Sequence, residues 1–219
     1  MLDLDRVLNR LLGSPGKGLA AGLAGGLLFT RRGRRLGRKL VKAGGLAAIA
    51  WLAWSAWQRR GSAGDAADAD ADSSNAATAG LPPAADAAGP PDTDFYPTAP
   101  AERERRALLC ARAMIAAAWA DGVLDATELE AIHARLEDDE LSAEDRQLVW
   151  KELGQAASIE ELAREATTDK LRTEVYVAAV LGLDADTPEE AAWLTQLASA
   201  LELEDDLVAS IHAQTEATA

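Results

Sequence analysis

The acidic side chains in the stretch ADGVLDATELEAI, residues 120–132, are candidate ligands for a cation. Asp121, Asp125 and Glu128 flank a turn that contains a glycine. Carboxylate oxygens are the ligands that hard cations such as calcium and magnesium prefer. Asp125 and Glu128 also fit a D-x-x-E cap at the start of a helix, which needs no ion. The stretch therefore predicts either cation ligands or a capped corner between two helices.

The spacing of these acids does not match a complete EF-hand loop. Such a loop takes its calcium ligands from positions 1, 3, 5, 7, 9 and 12 and has a glycine at position 6. When Gly122 is aligned with that glycine, the three acids occupy positions 5, 9 and 12, but positions 1 and 3 become Ala117 and Trp119. Neither residue has a side-chain oxygen, so this loop alone cannot bind calcium as an EF-hand does.

The sequence contains no motif for nucleophilic, zinc or nucleotide chemistry. Cys110 is the chain's one cysteine, and its aliphatic neighbours favour a small buried side chain. His133 and His212 are too few and too dispersed for a zinc site or a catalytic triad. We therefore expect a protein that is not an enzyme, with no cofactor beyond one calcium or magnesium ion.

Charge divides the 219 residues into three parts with different roles. Residues 1–60 carry twelve Lys and Arg against two acids, and residues 61–100 carry seven Asp and no base. Residues 101–219 carry 27 acids against ten bases. A basic head favours anionic lipid, whereas an acidic domain is repelled by it. The pattern predicts a membrane-associated head (1–60), a linker (61–100) and an acidic domain (101–219).

The head contains an uncharged run at residues 18–30, GLAAGLAGGLLFT. Its glycines Gly18, Gly22 and Gly26 recur every four residues, which places them on one helical face. Small residues at this spacing let two helices approach closely in lipid. The run predicts a helix-association face, with a flexible Gly/Ala linker as the alternative.

A second apolar run, residues 41–58, ends in tryptophans and is followed by a pair of arginines. Aromatic and basic residues in this order are typical of a helix that leaves the hydrocarbon for the lipid headgroups. The predicted membrane-interface residues are Trp51, Trp54, Trp57, Arg59 and Arg60. Each run is short for a span, so a hairpin of two short helices and one span near 41–58 both remain open. Seven bases at residues 31–42 lie between the runs and favour anionic headgroups.

Two other interpretations of the head are weaker. In a cleaved signal peptide the main positive charge precedes the apolar run, but here the larger basic cluster, residues 31–42, follows the run. The arginine cluster could contact nucleic acid, but its apolar flanks and the acidic remainder of the chain argue against this. We therefore expect partners in an anionic membrane and in a second copy or another membrane protein, not in nucleic acid.

The linker and the acidic domain differ in composition. Residues 61–100 consist mainly of Ala, Asp, Ser, Gly and Pro, which predicts disorder. After residue 100 the apolar periodicity is helical throughout. Two helix starts are well marked: Ser158 with Glu161 forms a capping box, and Thr187 is followed by Pro188 at the first helical position. We predict an all-α orthogonal bundle of about seven helices.

The segments ADGVLDATELEAI and LDADTPEEAAWLTQLASAL are alike, and they carry a family resemblance. In a seven-helix acidic domain this pair resembles the TerB fold of the tellurite-resistance protein B family. The head sequences GKGLAAGLAGGLL and RKLVKAGGLAAIAWLAW, followed by such a domain, are similar to the YebE-like bacterial inner-membrane proteins. The resemblance implies a location in the bacterial inner membrane and a TerB-like C-terminal domain.

The TerB resemblance also implies that the two acidic turns lie close together and share one cation. The implied ligands for calcium or magnesium are Asp121, Asp125, Glu128, Asp184, Asp186 and Glu189. Two functions follow as expectations. The first is a membrane-anchored interaction or envelope-stress module without catalytic activity, and the alternative is a divalent-cation sensor that uses the shared acidic turns.

Overall fold

A computed structural model describes residues 45–60, 90–120, 143–183 and 187–218. Within these ranges the chain is all-helical, which confirms the predicted class. Residues 121–142, which include the acidic turn of the stretch 120–132, lie outside the described residues. The described helices are α1 (Gly45–Arg59), α2 (Pro100–Ala118), α3 (Ala143–Gly154), α4 (Ile159–Glu165), α5 (Asp169–Gly182), α6 (Pro188–Ala200) and α7 (Asp205–Thr218).

Both helix starts predicted from local sequence are confirmed. The Glu161 backbone N–H donates to the Ser158 hydroxyl over 3.2 Å, and the Ser158 N–H donates to the Glu161 carboxylate over 2.9 Å. Thr187 and Glu190 exchange the same pair of bonds at the start of α6, with Pro188 in the first turn. Capping boxes satisfy backbone N–H groups that have no partner within the helix.

Helix α1 is an internal helix of the bundle. It packs against α5, α7 and α2, and Leu46 and Ile49 are fully buried. Polar contacts fix it on α7: the Ser210 hydroxyl donates to the Ala56 carbonyl over 3.2 Å, and the Gln214 amide donates to the Ser55 hydroxyl over 2.8 Å. The sequence predicts that the apolar run 41–58 lies in the membrane. In the structure α1, which includes most of this run, is buried against other helices of the protein. Both environments accept a short apolar helix.

The last ten residues before α2 dock onto the bundle, although the sequence placed them in the disordered linker. Phe95 is fully buried and meets the Trp57 ring edge-on, with ring centroids 5.9 Å apart. The Lys170 ammonium holds the segment from α5, donating to Asp92 over 2.9 Å and to Asp94 over 2.8 Å. The hydrogen bond from Lys170 and the backbone N–H of Asp94 lower the pKa of Asp92. The described end of the linker is therefore part of the helical domain.

Helices α2 and α5 form the most extensive helix pair of the described structure, and they are in close contact at Gly182. A Cβ atom at Gly182 would lie 3.0 Å from the Met114 Cα and 3.1 Å from its carbonyl oxygen. Both neighbours are backbone atoms, which cannot move aside by changing rotamer. The absence of a side chain at Gly182 therefore sets the spacing of the two helices.

Replacing Gly182 by alanine is expected to lower the free energy of unfolding by roughly 1–3 kcal/mol, because the helices must separate to admit the methyl group. Gly154 is a matched control, since a Cβ at that position would meet nothing within 4 Å. Gly154→Ala should leave stability unchanged or raise it by up to about 1 kcal/mol, since helical glycine is entropically unfavourable. Denaturant unfolding of both full-length variants in nonionic detergent checks this, and equal effects would contradict it.

Candidate functional site

Five of the six predicted cation ligands lie outside the described residues: Asp121, Asp125, Glu128, Asp184 and Asp186. The sixth, Glu189, is exposed in the first turn of α6. In the described part of the chain, no group of three or more His, Cys, Asp or Glu side chains is arranged to hold a metal ion. The shared cation site therefore stays a prediction.

The predicted helix-association glycines Gly18, Gly22 and Gly26 also lie outside the described residues. Among the helices that the structure describes, none is both long and apolar enough to cross a membrane. The glycine face therefore stays a prediction as well.

Of the five residues predicted to lie at the membrane interface, four belong to α1 and Arg60 directly follows it. The partly exposed Trp51 and Trp54 rings contact each other, with centroids 5.2 Å apart. The Arg60 guanidinium lies 3.4 Å from the centre of the Trp57 ring, and Arg59 donates to the Gln214 side chain over 2.9 Å. Of these contacts, only that of Arg59 joins the segment to another helix, α7; the other two are internal to the segment. A contact of the tryptophans with lipid headgroups stays a prediction.

A groove with a volume of about 770 Å³ lies between α6 and α7. We call it the α6–α7 groove. Helix α6 contributes residues at helical spacing to one wall, and α7 contributes a second such stripe. The walls combine apolar side chains with hydroxyl and carboxylate groups: Ala191, Leu194, Thr195, Ala198, Ser199, Glu202, Leu203, Asp205 and Val208. An apolar groove with a few polar groups is the usual form of a binding site.

A hydroxyl–imidazole pair forms the floor of the α6–α7 groove. The buried Tyr176 hydroxyl of α5 and the half-buried His212 Nε2 of α7 share a hydrogen bond of 3.1 Å. Burial lowers the pKa of His212, while the nearby Glu216 opposes this effect. Burial also raises the pKa of Tyr176 to about 12. Both groups are therefore neutral at pH 7, which suits recognition of a bound side chain better than proton transfer.

The rim of the groove contains a residue in a strained backbone conformation. Glu202 has φ 55°, in the left-handed region that favours glycine. It ends α6 in a Schellman motif, in which the Glu202 N–H donates to the Ser199 carbonyl and the Leu203 N–H donates to the Ala198 carbonyl. Its carboxylate accepts a 2.6 Å hydrogen bond from Arg172 of α5. The turn thus presents a fixed carboxylate where glycine is the usual residue.

A buried charged pair connects α2 and α5 away from the groove. Glu174 is fully buried, and Arg106 Nη1 donates to its two carboxylate oxygens over 3.3 and 3.2 Å. The same nitrogen donates to the Asp94 carbonyl over 2.7 Å, and Arg106 Nε donates to Glu102 over 3.2 Å. Burial raises the pKa of Glu174 to about 8, although Arg106 opposes the shift. The pair holds α2, α5 and the docked segment together.

The sequence alone indicates neither the groove nor the buried pair. A local signal for the groove is present, since α6 and α7 both carry a polar and small-residue stripe beside an apolar one. His212 is one of two dispersed histidines in the sequence, and its partner Tyr176 lies 36 residues away. Arg106 and Glu174 are 68 residues apart. A contact over such distances is invisible without knowing which helices meet.

These features define an all-helical protein with a two-walled surface groove. A family model described as "Protein of unknown function (DUF533)" matches residues 13–215, and the chain belongs to that family. The matched range covers the basic head from residue 13, the whole linker and the helical domain to residue 215. Comparisons with curated proteins and with solved structures gave no match. The resemblance to YebE-like and TerB-like proteins is finer than the family match and stays a prediction.

Proposed function

We propose that this protein is a membrane-anchored, non-catalytic interaction module of the bacterial inner membrane. Its basic head attaches it to anionic lipid, and its helical domain, of the TerB-like kind, binds partner segments in the α6–α7 groove. The observation that carries the proposal is the groove itself, whose two helical walls and neutral Tyr176–His212 floor suit a bound helix. Laying the apolar face of a helix into such a groove is a common mode of recognition.

Attachment to lipid is assigned to residues 1–44, not to α1. The buried side chains of α1 contact protein. The bases of residues 31–42 supply attraction to anionic headgroups, about 1 kcal/mol for each Lys or Arg near the surface. The apolar run at 18–30 supplies a segment that can enter the bilayer.

Fractionation of cells that express the full-length chain tests the attachment. We expect the protein in the membrane pellet, and we expect it to stay there after a high-salt wash that screens purely electrostatic binding. Deletion of residues 1–44 should release it. Recovery of the intact chain in the supernatant without detergent would contradict the membrane anchor.

A groove-filling variant tests the binding site. Ala198 lines the groove, so Ala198→Trp should weaken binding of a fluorescent helical Leu/Lys peptide by about tenfold, which corresponds to about 1.4 kcal/mol. The matched control is Ala192→Trp on the same helix, because Ala192 is exposed and outside the groove lining. Fluorescence anisotropy with the full-length protein in lipid nanodiscs gives the affinities. Equal binding by the two variants would show that the groove is not the binding site.

A further inference from the structure

The two walls of the α6–α7 groove have a strong charge bias. Residues 187–219 contain seven Asp and Glu and no Lys or Arg. Of these acids, Glu202 and Asp205 belong to the groove lining, and both are exposed; Glu202 also accepts a hydrogen bond from Arg172. Between these carboxylates the groove offers the apolar side chains of Leu194, Ala198 and Val208. Carboxylates beside apolar side chains favour a ligand segment that is basic and has a short apolar face.

One segment of this chain has that chemistry. Residues 31–42, RRGRRLGRKLVK, carry seven Lys and Arg and no acid. Leu36 and Leu40 stand four residues apart, a spacing that aligns side chains on one face of a helix. Leu194 and Ala198 on one wall have the same four-residue spacing, about 6 Å along the helix axis. A segment with two leucines one turn apart therefore matches the apolar length of the groove.

The geometry of α1 points to a second copy as the source of this segment. Residues 31–42 precede α1 in the chain, and α1 hydrogen-bonds to Ser210 and Gln214 of α7. These two residues lie on the face of α7 opposite the groove, because each is two positions from a groove residue, Val208 or His212. A chain's own segment would have to turn back around α7, whereas the segment of a neighbouring molecule can approach directly.

We propose that the α6–α7 groove binds residues 31–42 of a second copy of this chain, with the leucines against its apolar walls and the bases beside Glu202 and Asp205. The inference rests on the proposed function, since it names the partner of the same groove. A head-to-groove contact uses two different surfaces, so it links copies into rings or open chains.

Disulfide trapping between two differently tagged full-length populations tests the inference. One population carries Leu36→Cys and the other Ala198→Cys, and they are mixed in nonionic detergent with a mild oxidant. The natural Cys110 can remain, because it is fully buried and burial raises the pKa of its thiol. We expect at least fivefold more heterodisulfide than with the matched Ala192→Cys population. Glu202→Lys with Asp205→Lys should remove most of this excess.

The experiments distinguish failure of the second-copy inference from failure of the proposed function. If the Leu/Lys peptide binds the groove but Ala198→Cys traps no more Leu36→Cys than Ala192→Cys does, the second-copy inference is overturned and the proposed function stands. If Ala198→Trp also leaves peptide binding unchanged, the groove is not a binding site and both are overturned. Excess trapping that persists after charge reversal would overturn the assigned electrostatic contact.

Discussion

Replacement of Phe95 by alanine is expected to lower the free energy of unfolding by about 3–5 kcal/mol, the usual range for removing a buried phenylalanine. The ring is fully buried and lies edge-on against Trp57 of α1. Its loss would leave a cavity between the docked segment, α1 and α5. Denaturant unfolding of the full-length variant in nonionic detergent measures the change.

Thr93→Ala is the matched control for Phe95, because Thr93 is an exposed turn residue two positions away. It should change the free energy of unfolding by less than about 0.5 kcal/mol. Limited proteolysis provides a second measurement, since Phe95→Ala should expose residues 90–99 to cleavage. A small stability change with unchanged protection would show that the segment is not part of the core.

Removal of one partner of the Arg106–Glu174 pair should lower the free energy of unfolding about as much as Phe95→Ala does. The size of this loss should depend on pH. Arg106→Met leaves the buried Glu174 carboxyl without its cation, and breaking such a pair costs about 3–5 kcal/mol. We expect that full cost near pH 9 and a smaller one near pH 5. At pH 5 the carboxyl is protonated in both proteins, so no unpaired charge is created. Unfolding at the two pH values measures the difference.

The sign of this pH dependence follows from the raised pKa of Glu174. Burial raises it from 4.5 to about 8, so the folded protein holds a proton that the unfolded chain releases between these values. The contribution of Glu174 to stability is complete below about pH 4.5 and is lost as the pH rises through about 8. Because Arg106 lowers the pKa of Glu174, Arg106→Met raises it further and deepens the loss at alkaline pH.

Two further variants separate charge from packing at this pair. Glu174→Gln keeps the shape without an ionisable group, so its stability should lack the decline between pH 5 and 9. Arg106→Met with Glu174→Leu replaces both partners by apolar groups and should recover much of the stability lost by Arg106→Met alone. Equal losses for Arg106→Met at pH 5 and pH 9 would contradict the assigned role of the carboxylate.

The docked segment and the buried pair bear on how the protein is organised. The Arg106 side chain donates to the backbone carbonyl of Asp94. Lys170 donates to the carboxylates of Asp92 and Asp94. Because α1 precedes the linker and α2 follows it, residues 61–89 join two parts of one helical domain. The helical domain therefore begins at α1, directly after residues 1–44, instead of at the end of a long tether.

Features set by neighbours in sequence were predictable. The capping boxes at Ser158 and Thr187 involve side chains only three residues apart, so the local sequence specifies both the bond and the helix start. The all-helical class followed from apolar spacing over one or two turns. The division of charge along the chain required only counting residues. These properties need no information about which helices meet.

Features set by helix packing could not be predicted in the same way. The apolarity of α1 satisfies a bilayer and a protein core equally, and only its contacts with α5 and α7 place it in the core. Phe95 lies in a segment whose composition predicts disorder, and only the packed structure places it beside Trp57 and Lys170. The helices, their caps and the charge pattern are local properties, because they depend on residues within a few positions. The burial of Glu174 and the α6–α7 groove are not local, because both arise where helices distant in sequence come together.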